Sequence, residues 1–494
     1  MHRIALFFTG AFTAAVAAAA DFPQWGSAWN RNMVSPEKGL ADSFDLKSGA
    51  NIAWRAELGS EAHSSPVVSG GRVLIGTNNS KPRDPKHEGD RGVLMCFDEK
   101  TGALFWQLVV PKRTEDRYFD WPNSGISSPA TVEGDRVYIV TNRGELACLD
   151  LKGMADGNDG PFKEEGRHMT PADLPAMAPG PLDADILWIT DLTTEAGIWS
   201  HDAAHTSVLI HGPHLYFNSG TGVDNTHRRI RTPDAPSLLA ADKATGRLLA
   251  REREGIAPNI FHSTWSAPSM GVLDGQPRIF FCGGNGILYA FEPLAPTTAA
   301  GEMQTLKKLW HYDPDPTAPK TEVHVYNQNR KDGPSNVFGM PVVANDRIYF
   351  AGGGDVWWGK NESWIQCVDA RRGTRIWNTP LGKHVMSSPA VTGDLCFIAD
   401  TDRILRCLNA TTGREYWQHE LQGDAWASPL VADGRVYLTT RKGDSWIFAA
   451  APEKKLIFQT HLGSSASSTV CAANGTLYYA TMTSLIAVRS GAGK

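Results

Sequence analysis

The chain has 494 residues, 41% of them hydrophobic, and 48 Lys+Arg against 53 Asp+Glu give a formal net charge of −5. A chain of this size can bury a large core, and its scattered charge forms no basic cluster of the kind a nucleic-acid groove needs. Beyond the N-terminus no stretch is apolar for long enough to cross a bilayer of about 30 Å.

Residues 1–20 read as a targeting segment. His2 and Arg3 give a short basic start, Ala5–Val16 is an uncharged and mostly apolar run, and Ala18-Ala19-Ala20 supplies small residues before Asp21. This pattern is that of a secretory signal cleaved near Ala20, and the run is too short for a membrane anchor. No Cys stands near the cleavage site, so a lipid-modified N-terminus is not expected. The expectation is an exported protein, periplasmic or secreted.

From residue 51 onward the chain repeats itself. Ser64-Ser65-Pro66, Ser127-Ser128-Pro129, Ser387-Ser388-Pro389 and Ala427-Ser428-Pro429 open successive copies, Thr101-Gly102, Thr245-Gly246 and Thr412-Gly413 punctuate them, and Trp54, Trp106, Trp310, Trp377 and Trp417 close them. Each copy carries four strand signals: in Ala427–Leu462 these are Ser428–Val431, Arg435–Thr439, Trp446–Ala450 and Leu456–Thr460, separated by Gly, Asp and Pro turns. First strands fall at Ser65–Val68, Ser128–Val132, Ser207–Ile210, Ala267–Val272, Met340–Val343, Ser388–Val391, Ser428–Val431 and Ser468–Ala472. Four strands every ~40–50 residues make a propeller blade. The expected fold is therefore all-β, an eight-bladed propeller of four-stranded antiparallel blades. The last copy runs out after three strands, and Asn51–Glu57, with Trp54 at the repeated position, is expected to supply the fourth and so close the ring.

The seven Cys do not read as a disulfide framework. Cys96, Cys148, Cys367 and Cys407 occupy one equivalent strand position, where a small buried hydrophobe fits, and no C-x-x-C pair suggests a thiolate metal site or covalent haem.

The repeat S-S-P-x-V-x-x-G-x-V-Y…G-x-L-x-C-L-D-x-x-T-G-x-x-x-W resembles the pyrroloquinoline-quinone (PQQ) repeat, which builds eight-bladed propellers in quinoprotein alcohol dehydrogenases and in BamB-like assembly proteins. The resemblance runs from Asp21 to the C-terminus and implies one propeller domain over residues 21–494, with insertions at 77–92, 153–184, 219–236 and 313–339. For the enzymes it implies a quinone held between a Trp floor and a ceiling of two adjacent disulfide-linked Cys, with Ca²⁺ beside it. This chain has no adjacent Cys pair and no C-x-x-C-H, so no catalytic residue carries over. The blade serves enzymes and scaffolds alike, so function has to be argued from the segments that break the repeat.

In a four-stranded antiparallel blade, the second-to-third turns and the blade-to-blade connections share one face. Most insertions fall there, at 77–92, 111–125, 193–206, 219–236, 253–266, 313–339 and 352–363; only 153–184 and 293–305 are expected on the opposite face. The polar and aromatic segments of the first face supply the candidate site: Trp199, His201, Asp202 and His205 between two blades, Asp224 and His227 within the next, His262 and Trp265 leading into the one after, Asn285 in a tight turn, and Trp357 and Trp358 in a later insertion. His, Asp and Asn converging there could hold a metal or position a proton acceptor against an aromatic floor, or could simply pin long loops. His211 and His214 flank a turn on the opposite face and are expected to be exposed.

Three readings follow. The first is an exported binding or scaffold module taking a protein, glycan or small molecule on the loop-rich face. The second is a quinoprotein-type oxidoreductase of alcohols or sugars using PQQ with calcium. The third is a metal-dependent hydrolase or lyase built on His201, His205, His227 and His262.

Overall fold

The computed structural model describes residues 20–202, 207–298 and 301–493. The expected signal segment up to residue 19 and His205 lie outside these residues. Eight antiparallel sheets follow one another around a ring. Blade 1 comprises Val67–Ser69, Arg72–Asn78, Arg91–Asp98 and Leu104–Pro111, and blade 7 comprises Leu430–Ala432, Arg435–Thr439, Asp444–Ala449 and Leu456–His461. Blade 8 holds Cys471–Ala473, Thr476–Ala480 and Ser484–Arg489, and its outer strand is Ile52–Glu57, which pairs antiparallel with Ser484–Arg489. The ring is closed by the chain's own leading strand, as the repeat count requires. Blade 2 comprises Thr131–Glu133, Arg136–Val140, Glu145–Asp150 and Ile186–Asp191, blade 3 Leu209–His211, His214–Asn218, Leu238–Asp242 and Leu248–Arg251, and blade 4 Ser269–Leu273, Gln276–Cys282, Leu288–Phe291 and Lys308–Tyr312; blade 3 carries an extra two-residue strand, Gln304–Thr305, paired parallel on its outer edge.

A recurring latch explains the Cys, Trp and Thr-Gly positions together. The Trp of the fourth strand stands opposite a small residue of the third: Cys96 faces Trp106, Cys148 faces Trp188, Cys367 faces Trp377, Cys407 faces Trp417 and Ala487 faces Trp54. The indole crosses to the next blade, where its Nε1–H donates to a turn carbonyl: Trp54 to Glu99 (2.9 Å), Trp106 to Leu151 (3.0 Å), Trp377 to Ala410 (3.0 Å) and Trp417 to Ala451 (3.0 Å). The turn has to be glycine for two reasons. Gly102 and Gly413 hold φ of 71° and 74°, and a Cβ on either would lie 2.6 Å from the incoming indole. All seven cysteines are buried and free, as this packing requires.

The innermost strands start about two residues later than the sequence suggests, for instance Val67–Ser69 in place of Ser65–Val68. The paired small residues ahead of them bond sideways. The Met340 amide donates to Ser388 Oγ (2.8 Å), the Ser388 amide to Ser428 Oγ (2.9 Å), the Ser428 amide to Thr469 Oγ1 (3.2 Å) and the Thr469 amide to Ser65 Oγ (3.0 Å). At these four junctions a hydroxyl thus accepts an amide of the blade before it, and that segment is lost to the ladder.

Residues 20–37 cross the tunnel and bond the innermost segment of every blade. Phe22 and Val68 exchange amide and carbonyl (2.9 Å each way), Pro23 O accepts from the Val132 amide, Trp29 O from Met270 and Asn30 O from Val343. The Asn32 side chain bonds both backbone groups of Val391, Met33 O accepts from the Val431 amide, and Ser35 Oγ donates to Ala472 O. Arg31 serves blade 3: it is 0% exposed and donates to Ser207 O (2.7 Å), Ser207 Oγ (2.9 Å) and Pro268 O (2.9 Å). Burial lowers its guanidinium to about 9, so it is still cationic at neutral pH. Edge groups that would otherwise face the tunnel are satisfied by this one segment.

Two expectations about the opposite face are corrected. The 153–184 insertion leaves and rejoins blade 2 there, but its body wraps the outer side and reaches the loop-rich face. Gln107 on the outer strand of blade 1 bonds Leu182 and Ala184, and His168 meets Glu145 (3.0 Å) at the start of a third strand. His214 is buried, at 1% exposure, because it begins the second strand of blade 3 rather than sitting in the turn. No described helix is long and apolar enough to cross a membrane.

Candidate functional site

A cavity of about 410 Å³ opens at the tunnel mouth on the loop-rich face. Its wall is aromatic, with Trp25, Trp121, Trp265, Phe338, Trp357, Trp358 and Trp426. Glu61, His63, Ser65, Ser124, Ser127, Asp202, His227, His262 and Ser467 supply polar groups, and no lysine or arginine is among the described lining residues. The rings pack against each other as well as facing the cavity. Trp265 lies 4.8 Å from Phe338 and 5.5 Å from Trp357, and Trp357 meets Trp426 edge-on at 5.7 Å (centroid distances). Such mutual contacts restrict the rotamers open to Trp265, Trp357 and Trp426.

The geometry of the wall follows from the repeat. Immediately ahead of the paired small residues stand His63, Trp265, Phe338, Met386, Trp426 and Ser467, and all six line the cavity. The segment that leads into each innermost strand runs beside the tunnel, and in these six blades its first side chain, ahead of the small pair, points into the mouth. Trp25 enters from the segment that crosses the tunnel, and Trp121 from the 111–125 connection.

One side of the wall gathers three histidines. His201 and His227 approach Nε2 to Nε2 at 3.0 Å, and one nitrogen of each of His201, His227 and His262 lies within 4.8 Å of the others. The Asp202 carboxylate is 3.6 Å from His201 Nε2 and 3.5 Å from His262 Nε2. Asp202 sits at φ 63°, a left-handed conformation uncommon for a residue other than glycine. Behind His262, the buried Asp355 takes its Nδ1 at 2.8 Å. The same carboxylate accepts the Trp357 and Trp358 amides (2.9 and 2.8 Å), the turn Asp355-Val356-Trp357-Trp358-Gly359 being tightened by the Gly359 amide on Asp355 O. One side chain therefore sets both the indole pair and the His262 ring.

Burial shapes the charges. It draws His201 down to about 4 against the pull of Asp202, and lowers His227 with help from neighbouring His262. Burial alone would lower His262 too, but Asp355 and Asp202 hold it up at about 10. Burial would raise the Asp355 carboxyl; His262 and the two tryptophan amides bring it below the usual range.

Of the residues singled out in the sequence, the structure brings His201, Asp202, His227, His262, Trp265, Trp357 and Trp358 together. Trp199 does not line the cavity: its Nε1–H donates to Asp116 Oδ2 (2.8 Å) and Arg231 covers its ring. Asp224 pins its own loop through Thr226 and Arg229 (2.7 Å), and Asn285 bonds Tyr289 OH (2.9 Å) within a local turn. Sequence reasoning missed Trp25, Glu61, His63, Trp121, Phe338, Asp355, Met386 and Trp426. The repeat position just before the small pair would have found four of them.

Comparison with known proteins places this architecture. The family model described as outer membrane protein assembly factor BamB matches residues 30–153 and 361–493. The BamB of Burkholderia pseudomallei (strain K96243) is 28% identical over 110 residues, which is 22% of this chain and 26% of that protein. The quinohemoprotein alcohol dehydrogenase ADH IIB of Pseudomonas putida is 22% identical over 447 residues, 85% of this chain and 59% of that protein. The chain thus spans less than two thirds of the length of either relative. A europium-containing methanol dehydrogenase superposes with a TM-score of 0.57 at 12% identity, covering 94% of this chain and 89% of that one, which is a likeness of fold.

Proposed function

The chain belongs to the family of the outer membrane protein assembly factor BamB, a family of PQQ-repeat propellers, and on that premise we propose that it is a ligand-binding propeller whose tunnel-mouth cavity receives a neutral, ring-shaped, polyhydroxylated molecule such as a saccharide unit. The observation that carries this reading is the wall itself: six tryptophans and Phe338 converge on about 410 Å³, alternating with serine, histidine and carboxylate groups, with no described lysine or arginine. Indole faces take the apolar face of a sugar ring, while carboxylates, hydroxyls and imidazoles exchange hydrogen bonds with its hydroxyls. Trp265, Phe338 and Trp426, ahead of their innermost strands, would supply the stacking surface, with Glu61 and Asp202 as hydroxyl acceptors. We place the protein outside the cytoplasm, on the strength of the leader-like residues 1–20 and of the family.

The quinone reading draws on the relative named as a quinohemoprotein alcohol dehydrogenase, which aligns over 85% of this chain. The described wall fits that group poorly. A tricarboxylate quinone needs several cationic partners, of which the described wall offers His262 alone, and calcium needs several oxygen ligands, for which it offers the carboxylates of Glu61 and Asp202; the buried single cysteines give no vicinal pair. A protein-binding scaffold, as the family's name describes, would use the rim instead.

Intrinsic tryptophan fluorescence tests the proposal. Titration with neutral mono- and oligosaccharides is expected to shift the emission saturably. Trp426→Ala and Trp265→Ala should each weaken binding by about 0.5–1.5 kcal/mol, a few-fold to roughly tenfold. Emission that no saccharide moves, or affinities unchanged in both variants, would overturn it.

A further inference from the structure

The histidine cluster goes beyond the ligand reading and stands without it. Its polar atoms are arranged around a point. His201 Nε2 and His227 Nε2 are 3.0 Å apart, and Asp202 Oδ2 stands 3.5 Å from His262 Nε2 and 3.6 Å from His201 Nε2. Ligand atoms about 2.0–2.1 Å from a tetrahedral metal are about 3.3 Å from one another, so these separations are those of a coordination polyhedron's edges. His262 supplies a second, independent observation. It is 2% exposed, its Nδ1 is committed to Asp355 at 2.8 Å, and its Nε2 points at the cluster, 3.5 Å from Asp202 Oδ2 and with no hydrogen bond of its own among the described residues. A carboxylate behind a ring nitrogen, fixing the tautomer and turning the other nitrogen outward, is the usual support of a metal-bound histidine.

We infer that His201, His227 and His262, completed by the Asp202 carboxylate, form a binding site for a zinc-class divalent transition-metal ion. Imidazole-rich sites with one carboxylate suit such ions; calcium and magnesium require oxygen donors. His227, His262 and Asp202 also line the cavity, so an ion held there borders the space where a ligand would sit.

A second cluster, Asp84, His87 and Asp183, has the same compactness but is already neutralised: Lys86 Nζ lies 2.6 Å from Asp183 Oδ2 and 3.3 Å from Asp84 Oδ2. It serves as the internal control.

The test uses the full chain, stripped with chelator and titrated with cobalt(II) and then zinc(II) in the absence of saccharide. Bound metal is counted by elemental analysis and the cobalt spectrum is recorded. One equivalent is expected, with the strong visible bands of a four-coordinate nitrogen–oxygen site, displaced by zinc. His227→Ala should lower the affinity at least about a hundredfold and Asp355→Asn about 10–100-fold, while His87→Ala leaves it unchanged. Less than a tenth of an equivalent in the unmutated chain would overturn the assignment, as would uptake equal in His227→Ala or lost in His87→Ala. Because the unmutated chain is read directly, a misfolded variant does not decide the outcome. Metal uptake with no saccharide response would sink the ligand reading alone, and the converse would sink this one.

Discussion

An indole that reaches across to the next blade needs room to leave its own sheet and a gap to enter in the neighbour. A cysteine or alanine opposite the tryptophan gives the first, and a left-handed glycine gives the second. Trp54 is the informative member because it belongs to the N-terminal strand and docks on the first blade of the ring, with Nε1 on Glu99 O. Trp54→Ala leaves a large cavity at the seam and is expected to cost about 3–5 kcal/mol, read as a shift of the urea midpoint at unchanged m-value. A loss below about 1 kcal/mol would mean that the seam is held by the strand pairing alone. This residue was legible in the sequence because the repeat numbered its position. His214 was not: a histidine beside a Gly-Pro turn reads as exposed until the strand is known to begin at it. Trp199, Asp224 and Asn285 were rightly placed in loops of the rich face, yet each turned to a neighbour in its own layer, and composition carries no sign of which way a loop side chain points.

At the scale of elements, the strand pattern was readable nearly throughout, since period-two alternation and turn residues recur in every copy. The crossing segment, residues 20–37, was not. It has no periodicity and no repeat, and its role comes from meeting eight strand edges that are far apart in sequence. Arg31 is its anchor. Arg31→Met should keep the volume while leaving the Ser207 and Pro268 carbonyls buried without their donor, at a cost on the order of 3 kcal/mol. Hydrogen exchange is expected to quicken first at the innermost strands of blades 3 and 4. Uniform exchange in the variant would contradict a local anchoring role. The 153–184 insertion teaches the same lesson: its ends were placed by topology, but only packing reveals that its body climbs the outer side to Glu145 and Gln107.

At the scale of the molecule, the ring brings together what the chain keeps apart. Residues from 25 to 467 meet in one cavity because six blades present a side chain from the segment leading into the innermost strand to the same mouth. Seven of the eleven residues singled out in the sequence come together at this mouth, because insertions and unusual residues cluster on that face. The sequence did not point to Trp25 or Glu61, since neither lies in an insertion. The chemistry of the wall, aromatic and without a described lysine or arginine, is what separates a saccharide-type ligand from an acidic quinone. Calorimetric titration of the full chain, with neutral oligosaccharides in one series and pyrroloquinoline quinone with calcium in the other, tests this most directly. Saturable heat is expected from at least one oligosaccharide and none from the quinone at micromolar concentration; stoichiometric quinone binding with no saccharide response would contradict a saccharide-binding wall.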